Sequence, residues 1–101
     1  MTPEEWLDGE MRHHLEEFGQ IGLYELLWLL NETELGLSDE AAMGLARRVA
    51  TTGVTERLGE LRRLSWVSAD VLAGPLDPAV LADDEAWLED ADSSYVALVQ
   101  P

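Results

Sequence analysis

Apolar positions recur at helical spacing through the first half of the chain and at strand spacing near its end. Leu7, Met11, Leu15 and Phe18 form one stripe of an amphipathic helix. Ahead of it, Thr2-Pro3-Glu4-Glu5 supplies an N-cap hydroxyl, a proline at the first helical position and acids facing the positive end of the dipole. Gly19 and Gly22 interrupt the stripe, so the first helix is expected over 1–20. Leu23–Leu30 is apolar on every face except Glu25, which predicts a second helix buried on most sides. Asn31 or Gly36 can close it in a left-handed conformation. Ser38 reads as the cap of a third helix, with Asp39 and Glu40 in its first turn. Its inner face is Ala42, Leu45, Ala46 and Val49, small enough to pack closely against Leu23–Leu30. Arg47 and Arg48 project outward, and Thr51-Thr52-Gly53 marks a stop or kink.

Beyond Val54 two periods compete. Val54, Leu58, Leu61 and Leu64 have helical spacing, whereas Leu64, Trp66 and Val67 favour extended chain and Gly59 weakens a helix. The expectation is a helical end at about Glu56 or Arg63, then a strand through Trp66. Gly74-Pro75-Leu76-Asp77-Pro78 is a connector rich in turn formers. Asp77 can cap a short helix that has Pro78 at its start and runs from Ala79 to Leu88. Tyr95-Val96-Ala97-Leu98-Val99 is a closing strand.

These elements predict an α+β fold that is mostly helical: three to four helices with a small two-stranded sheet. At 101 residues the chain fits one domain over 1–101, and 47% hydrophobic with 27% charged residues is close to the globular average. Trp6, Trp28, Trp66 and Trp87 span the whole length, which suggests one shared core.

Charge changes the picture, because it is segregated. Residues 1–34 carry nine acids against Arg12 alone, and residues 67–101 carry eight acids and no base. Between them lie Arg47, Arg48, Arg57, Arg62 and Arg63 against four acids. The local balances of −8, +1 and −8 account for the net charge of −15. Such a field attracts basic partners and repels nucleic acid and anionic membrane. There is no cysteine, which excludes disulfides and thiolate metal sites and fits a reducing compartment. The acidic start is unlike the positively charged head of a secretory signal, and the longest apolar run, Leu26–Leu30, is far shorter than a membrane span. A cytoplasmic protein with no membrane partner is expected.

The segments LYELLWLLNE (Leu23–Glu32), LARRVA (Leu45–Ala50), RRLSW (Arg62–Trp66), LADDEAW (Leu81–Trp87) and YVALV (Tyr95–Val99) resemble those of small acidic proteins built on a winged-helix-like scaffold. The resemblance covers 23–99 and rests on core and turn residues. It implies a fold, and a fold does not by itself imply function. One departure is clear. Winged-helix DNA readers carry basic surface on the recognition helix and wing, whereas here the corresponding region is flanked by Asp83, Asp84, Glu85, Glu89, Asp90 and Asp92.

Candidate chemistry is sparse. Glu10, His13 and Glu17 share one helical face, half of the carboxylate–histidine pattern of a di-iron bundle, but the only other histidine is the adjacent His14. A solvated helix face accounts for these residues, and no metal or other cofactor is expected. No phosphate loop and no nucleophile motif occurs, so the chain is read as non-catalytic. The central arginines are the best argument for nucleic acid. Their simpler role is to neutralise acids brought over from the flanking segments. The acids from Asp83 to Asp92, with Trp87 and Leu88 among them, have the parts of an interface for a basic protein, helped by Glu4, Glu5 and Asp8. Trp87 serves equally well as a core residue. The expected function is a non-catalytic acidic interaction module, of the inhibitor or immunity type or a nucleic-acid mimic. The alternative is a winged-helix DNA-binding regulator using Arg47, Arg48, Arg57, Arg62 and Arg63.

Overall fold

Capping decides where the first helix begins. In the computed structural model, which describes residues 1–66, 68–89 and 93–101, the Thr2 hydroxyl accepts from the Glu5 amide at 3.1 Å. The Glu5 carboxylate in turn accepts from the Thr2 amide, closing a capping box ahead of α1 (Pro3–Phe18). Gly19, at φ 76°, ends the helix and donates its amide to the Leu15 carbonyl. Leu7, Met11 and Leu15 are buried as the stripe predicts. Phe18 is not: it is 70% exposed at the last position of the helix, with its ring beside His14.

The glycines at 19 and 22 do more than interrupt. They bracket a short strand, β1 (Gln20–Gly22), followed at once by α2 (Leu23–Glu32). Leu23, Leu26 and Leu30 are buried, but Trp28 lies on the opposite side of α2 and is 56% exposed, so the helix is covered on fewer sides than its composition implies. It ends at Glu32 with Thr33 extended, and Gly36 takes its left-handed φ in the loop beyond.

Ser38 caps α3 (Asp39–Thr55) by accepting from the Ala41 amide, and Ala42, Leu45, Ala46 and Val49 face inward as expected. The helix continues through Thr51-Thr52-Gly53. Both threonine hydroxyls donate to carbonyls one turn back, at Arg47 and Arg48. Gly53 lies where α3 crosses Met11 and Leu98: a Cβ there would stand 2.9 Å from the Met11 sulfur. Its small size serves packing, not termination.

The remaining elements are β2 (Glu60–Ser65), β3 (Val71–Ala73), two 3-10 turns over Pro78–Ala82 and Asp84–Trp87, and β4 (Ser94–Val99). The two strands expected from sequence pair antiparallel, from Glu60 opposite Val99 to Ser65 opposite Ser94. The sheet has four strands, however, not two. Its order is β1-β4-β2-β3, every pairing antiparallel. β1 and β3 are three residues each, too short to announce themselves by alternation. The chain is thus α+β, with three α-helices and a four-stranded antiparallel sheet among the described residues.

The expected helix from Ala79 to Leu88 is instead the pair of 3-10 turns. Asp83 breaks it by adopting an extended conformation and accepting from the Glu85 amide with its own carboxylate.

β4 is central and buried from Ser94 to Leu98. Val96 and Leu98 join Ile21, Leu61 and the helices in the main core, while Tyr95 and Ala97 face the other way and form a small second cluster with Leu64, flanked by Tyr24 and Val99. The tryptophans therefore do not share one core. Trp87 is 3% exposed and Trp6 packs at the core's margin, but Trp66 is 36% exposed beside Tyr24 and Tyr95. Among the described residues, no helix is long and apolar enough to cross a membrane.

Candidate functional site

The acidic C-terminal segment is held down from inside. Trp87 buries its ring, and its indole N–H donates to the Leu81 carbonyl at 3.0 Å. Arg47 reaches over from α3: Nε donates to the same carbonyl at 2.9 Å, and Nη2 to Ala82 O and to Asp84 at 2.6 Å. Arg47 was expected to point outward; it points outward only as far as the turns it clamps. Asp77 and Asp83 cap the two turns by accepting from the Ala79 and Glu85 amides. Asp83 and Asp84 thus have local partners, whereas Glu85 and Glu89 are exposed with no ion-pair partner among the described residues. Asp90 and Asp92 lie outside the described residues.

Glu89 is not isolated. With Tyr24, Glu25 and Trp28 it lines an open cleft of about 330 Å³. Tyr24 and Trp28 are one turn apart on α2 and share a face. Glu25 is fixed from below, because its carboxylate accepts the Gly22 amide at 3.0 Å, where Gly22 precedes α2. The Tyr24 ring is fixed from behind by Trp66 and Tyr95, the three centroids each 5.6 Å apart. Such tilted and edge-to-face pairings are the favoured aromatic geometries. Burial pushes the Tyr24 phenol up to about 12, with the charges of Glu25 and Glu89 and the neighbouring Tyr95 acting in the same direction. Burial also raises Tyr95, against a hydrogen bond from Gln20 that lowers it. The cleft is therefore an aromatic wall with two carboxylates on it. In chemical terms it favours a cation.

The N-terminal acids are placed elsewhere. Glu4, Glu5 and Asp8 border a hollow with Val49 and Thr52, and no described residue of the C-terminal segment lines it. Glu4 pairs with Arg48, Asp8 pairs with Arg12, and Glu5 serves the Thr2 cap.

The five central arginines are not gathered on one face. Arg47 clamps the turns, Arg48 binds Glu4, and Arg62 pairs with Glu60 at 2.7 Å. Arg62 stands opposite Ala97 on the outer face of the sheet, while Arg63 stands opposite Val96 on the core side and donates to the Ser94 hydroxyl. Arg57 sits at the turn after α3 with φ 59° and has no ion pair among the described residues. Arg12 bridges Asp8 and Glu56. Among the described residues no group of three or more His, Asp and Glu side chains is placed to hold a metal ion. His14, next to the His13 of the Glu10, His13 and Glu17 face, contacts the Glu10 carbonyl at 2.9 Å.

Sequence reasoning pointed to Glu89 but missed Tyr24, Glu25 and Trp28. The available signal was Tyr24 and Trp28 at one-turn spacing with an acid between them, a pattern that also describes a buried helix. Compared with protein-family models, curated proteins and solved structures, the chain has no significant match in any of the three.

Proposed function

We propose that this chain is a non-catalytic, cytoplasmic interaction module whose acidic surface engages a basic protein, of the inhibitor or immunity type or as a nucleic-acid mimic. The observation that carries the reading is the juxtaposition of uncompensated carboxylates with exposed apolar anchors. Glu85 and Glu89 flank the exposed Leu88 in sequence, and Glu89 lines a cleft with the exposed Trp28. Apolar anchors ringed by charge of one sign are the common makeup of an interface that meets a charged partner. Of the acids expected at the contact, Glu85 and Glu89 are the ones in the Asp83–Glu89 stretch with neither an ion pair nor a capping bond among the described residues. Glu25, anchored on the Gly22 amide, adds its charge beside Glu89; Asp83 and Asp84 contribute field more than contacts.

A winged-helix-like scaffold belongs to the same proposal. Its support is the succession of helix, strand, helix, helix and strands, with β1 laid against the last strand, β4. On such a scaffold α3 would be the helix that reads DNA with its first turn. That turn carries Asp39 and Glu40, which repel phosphate, so the acidic-module reading is preferred over the regulator.

The test is association with a cationic protein across ionic strength. The expected result is a rate of association that falls steeply with salt and falls again in the Glu85→Gln, Glu89→Gln double variant. Affinity for cationic proteins that does not respond to salt would overturn the reading.

A further inference from the structure

We propose that the cleft formed by Tyr24, Glu25, Trp28 and Glu89 is the seat of a single arginine side chain of that basic partner, its guanidinium laid against the Trp28 indole and paired with Glu89. The inference rests on the interaction reading above and names the group recognised.

Three observations lead to it. The cleft, about 330 Å³, has more than enough room for one long side chain and is open to entry from solvent. Its walls are two aromatic rings and two carboxylates, and the carboxylates come from different elements, α2 and the segment after the second 3-10 turn. Its negative charge is not answered by an ion pair among the described residues. Among the described residues the arginines with ion pairs hold Asp8, Glu56, Asp84, Glu4 and Glu60, and none holds Glu25 or Glu89. Glu25 is already anchored to the Gly22 amide, which leaves Glu89 as the acid free to turn toward an incoming cation.

Aromatic walls favour arginine over lysine. A guanidinium is planar and weakly hydrated, so it stacks on an indole face while its edge N–H groups reach a carboxylate. An ammonium would have to shed a tighter hydration shell to sit there. A second copy of this chain is disfavoured as occupant, since two bodies of net charge −15 repel.

The experiment uses the whole chain and two labelled peptides of equal length and charge, one built on arginine and one on lysine, with binding read by fluorescence anisotropy. The variants are Trp28→Ala, Glu89→Gln and, as a control with the same charge change, Glu85→Gln. Trp28 is more than half exposed and Glu89 lies outside the regular elements, so each variant tests the cleft without the other. The expected result is tighter binding of the arginine peptide. Trp28→Ala and Glu89→Gln should each weaken it by about fivefold, and Glu85→Gln by less. If both peptides bind in a salt-dependent way and neither cleft variant changes affinity, the cleft is overturned while the acidic-module reading stands. If neither peptide binds at low salt, both fall. Self-association of the unliganded chain that Trp28→Ala abolishes would also overturn the proposal.

Discussion

The indole of Trp87 and the guanidinium of Arg47 donate to one acceptor, the carbonyl of Leu81, at 3.0 and 2.9 Å. The arginine comes from α3 and the tryptophan from the turn region that the carbonyl itself belongs to, so this oxygen ties the acidic segment to the helical core. The ion pair from Arg47 to Asp84 adds little, because Asp84 is almost wholly in solvent. The strength lies in the bonds to backbone. Arg47→Met should therefore lower stability by about 1 kcal/mol, chiefly through loss of the part-buried bond to the Leu81 carbonyl, since the Ala82 carbonyl is exposed to water. Trp87→Phe should cost about 1–3 kcal/mol through the lost bond and the smaller ring. Urea unfolding measures both. With a shared acceptor, the double variant should deviate from the sum of the singles; strict additivity would show that the two groups act independently.

Gly22 and Tyr24 are linked by space. A Cβ on residue 22 would stand 2.6 Å from Cε1 of the Tyr24 ring, closer than atoms approach without something moving. The ring cannot yield freely, because Trp66 and Tyr95 lie against it. Gly22→Ala should cost about 1–3 kcal/mol and reduce the near-ultraviolet circular dichroism of the aromatic trio. In a Tyr24→Ala background the same substitution should cost less, the remaining close neighbour being Glu25 Oε1 at 3.2 Å. An undiminished penalty there would place the clash elsewhere.

What the sequence announces is local, and what it conceals is long-range. Thr2 with Glu5, and Ser38 ahead of Ala41, carry their partners within three residues, so both helix starts are legible. β1 holds one apolar side chain, Ile21, and becomes a strand only because Leu98 arrives opposite it. The four tryptophans have the same composition signal but different fates. Trp87 finds a buried carbonyl, while Trp28 sits across α2 from Leu23, Leu26 and Leu30. Arg47 reads as a surface charge because its acceptors lie more than thirty residues away. The cleft was half visible for the same reason: Glu89 belongs to an acidic run, but its aromatic wall comes from α2.

Alkaline pH should loosen the fold through the aromatic trio. A tyrosine in the unfolded chain titrates at about 10. In the folded chain Tyr24 is pushed up to about 12, chiefly by burial. Between those values the folded state keeps a proton that the unfolded state has released, so stability falls as pH rises through the window. Below it this group contributes no slope. Tyr95 is raised as well and acts with the same sign. The urea midpoint should decline above a pH of about 10, and Tyr24→Phe should decline less steeply than the parent. Identical slopes would assign the alkaline loss to other groups.

The central arginines provide the sharpest contrast between the two functional readings. A DNA-binding surface needs cations on one face, and a helix-turn-helix recognition helix contacts base edges with its N-terminal residues. Here Arg62 and Arg63 point to opposite faces of β2, Arg47 and Arg48 are engaged by the acidic segment and by Glu4, and α3 opens with Asp39 and Glu40. The arginines without a carboxylate partner among the described residues are Arg57 and Arg63, on separate elements, and Arg63 is hydrogen-bonded to Ser94. One or two phosphate contacts cannot offset a net charge of −15. A gel-shift with random duplex at low salt should show no retention, and Arg48→Glu with Arg57→Glu should leave that result unchanged. Clear retention lost in the double variant would instead favour the regulator and remove the reason to look for a basic partner.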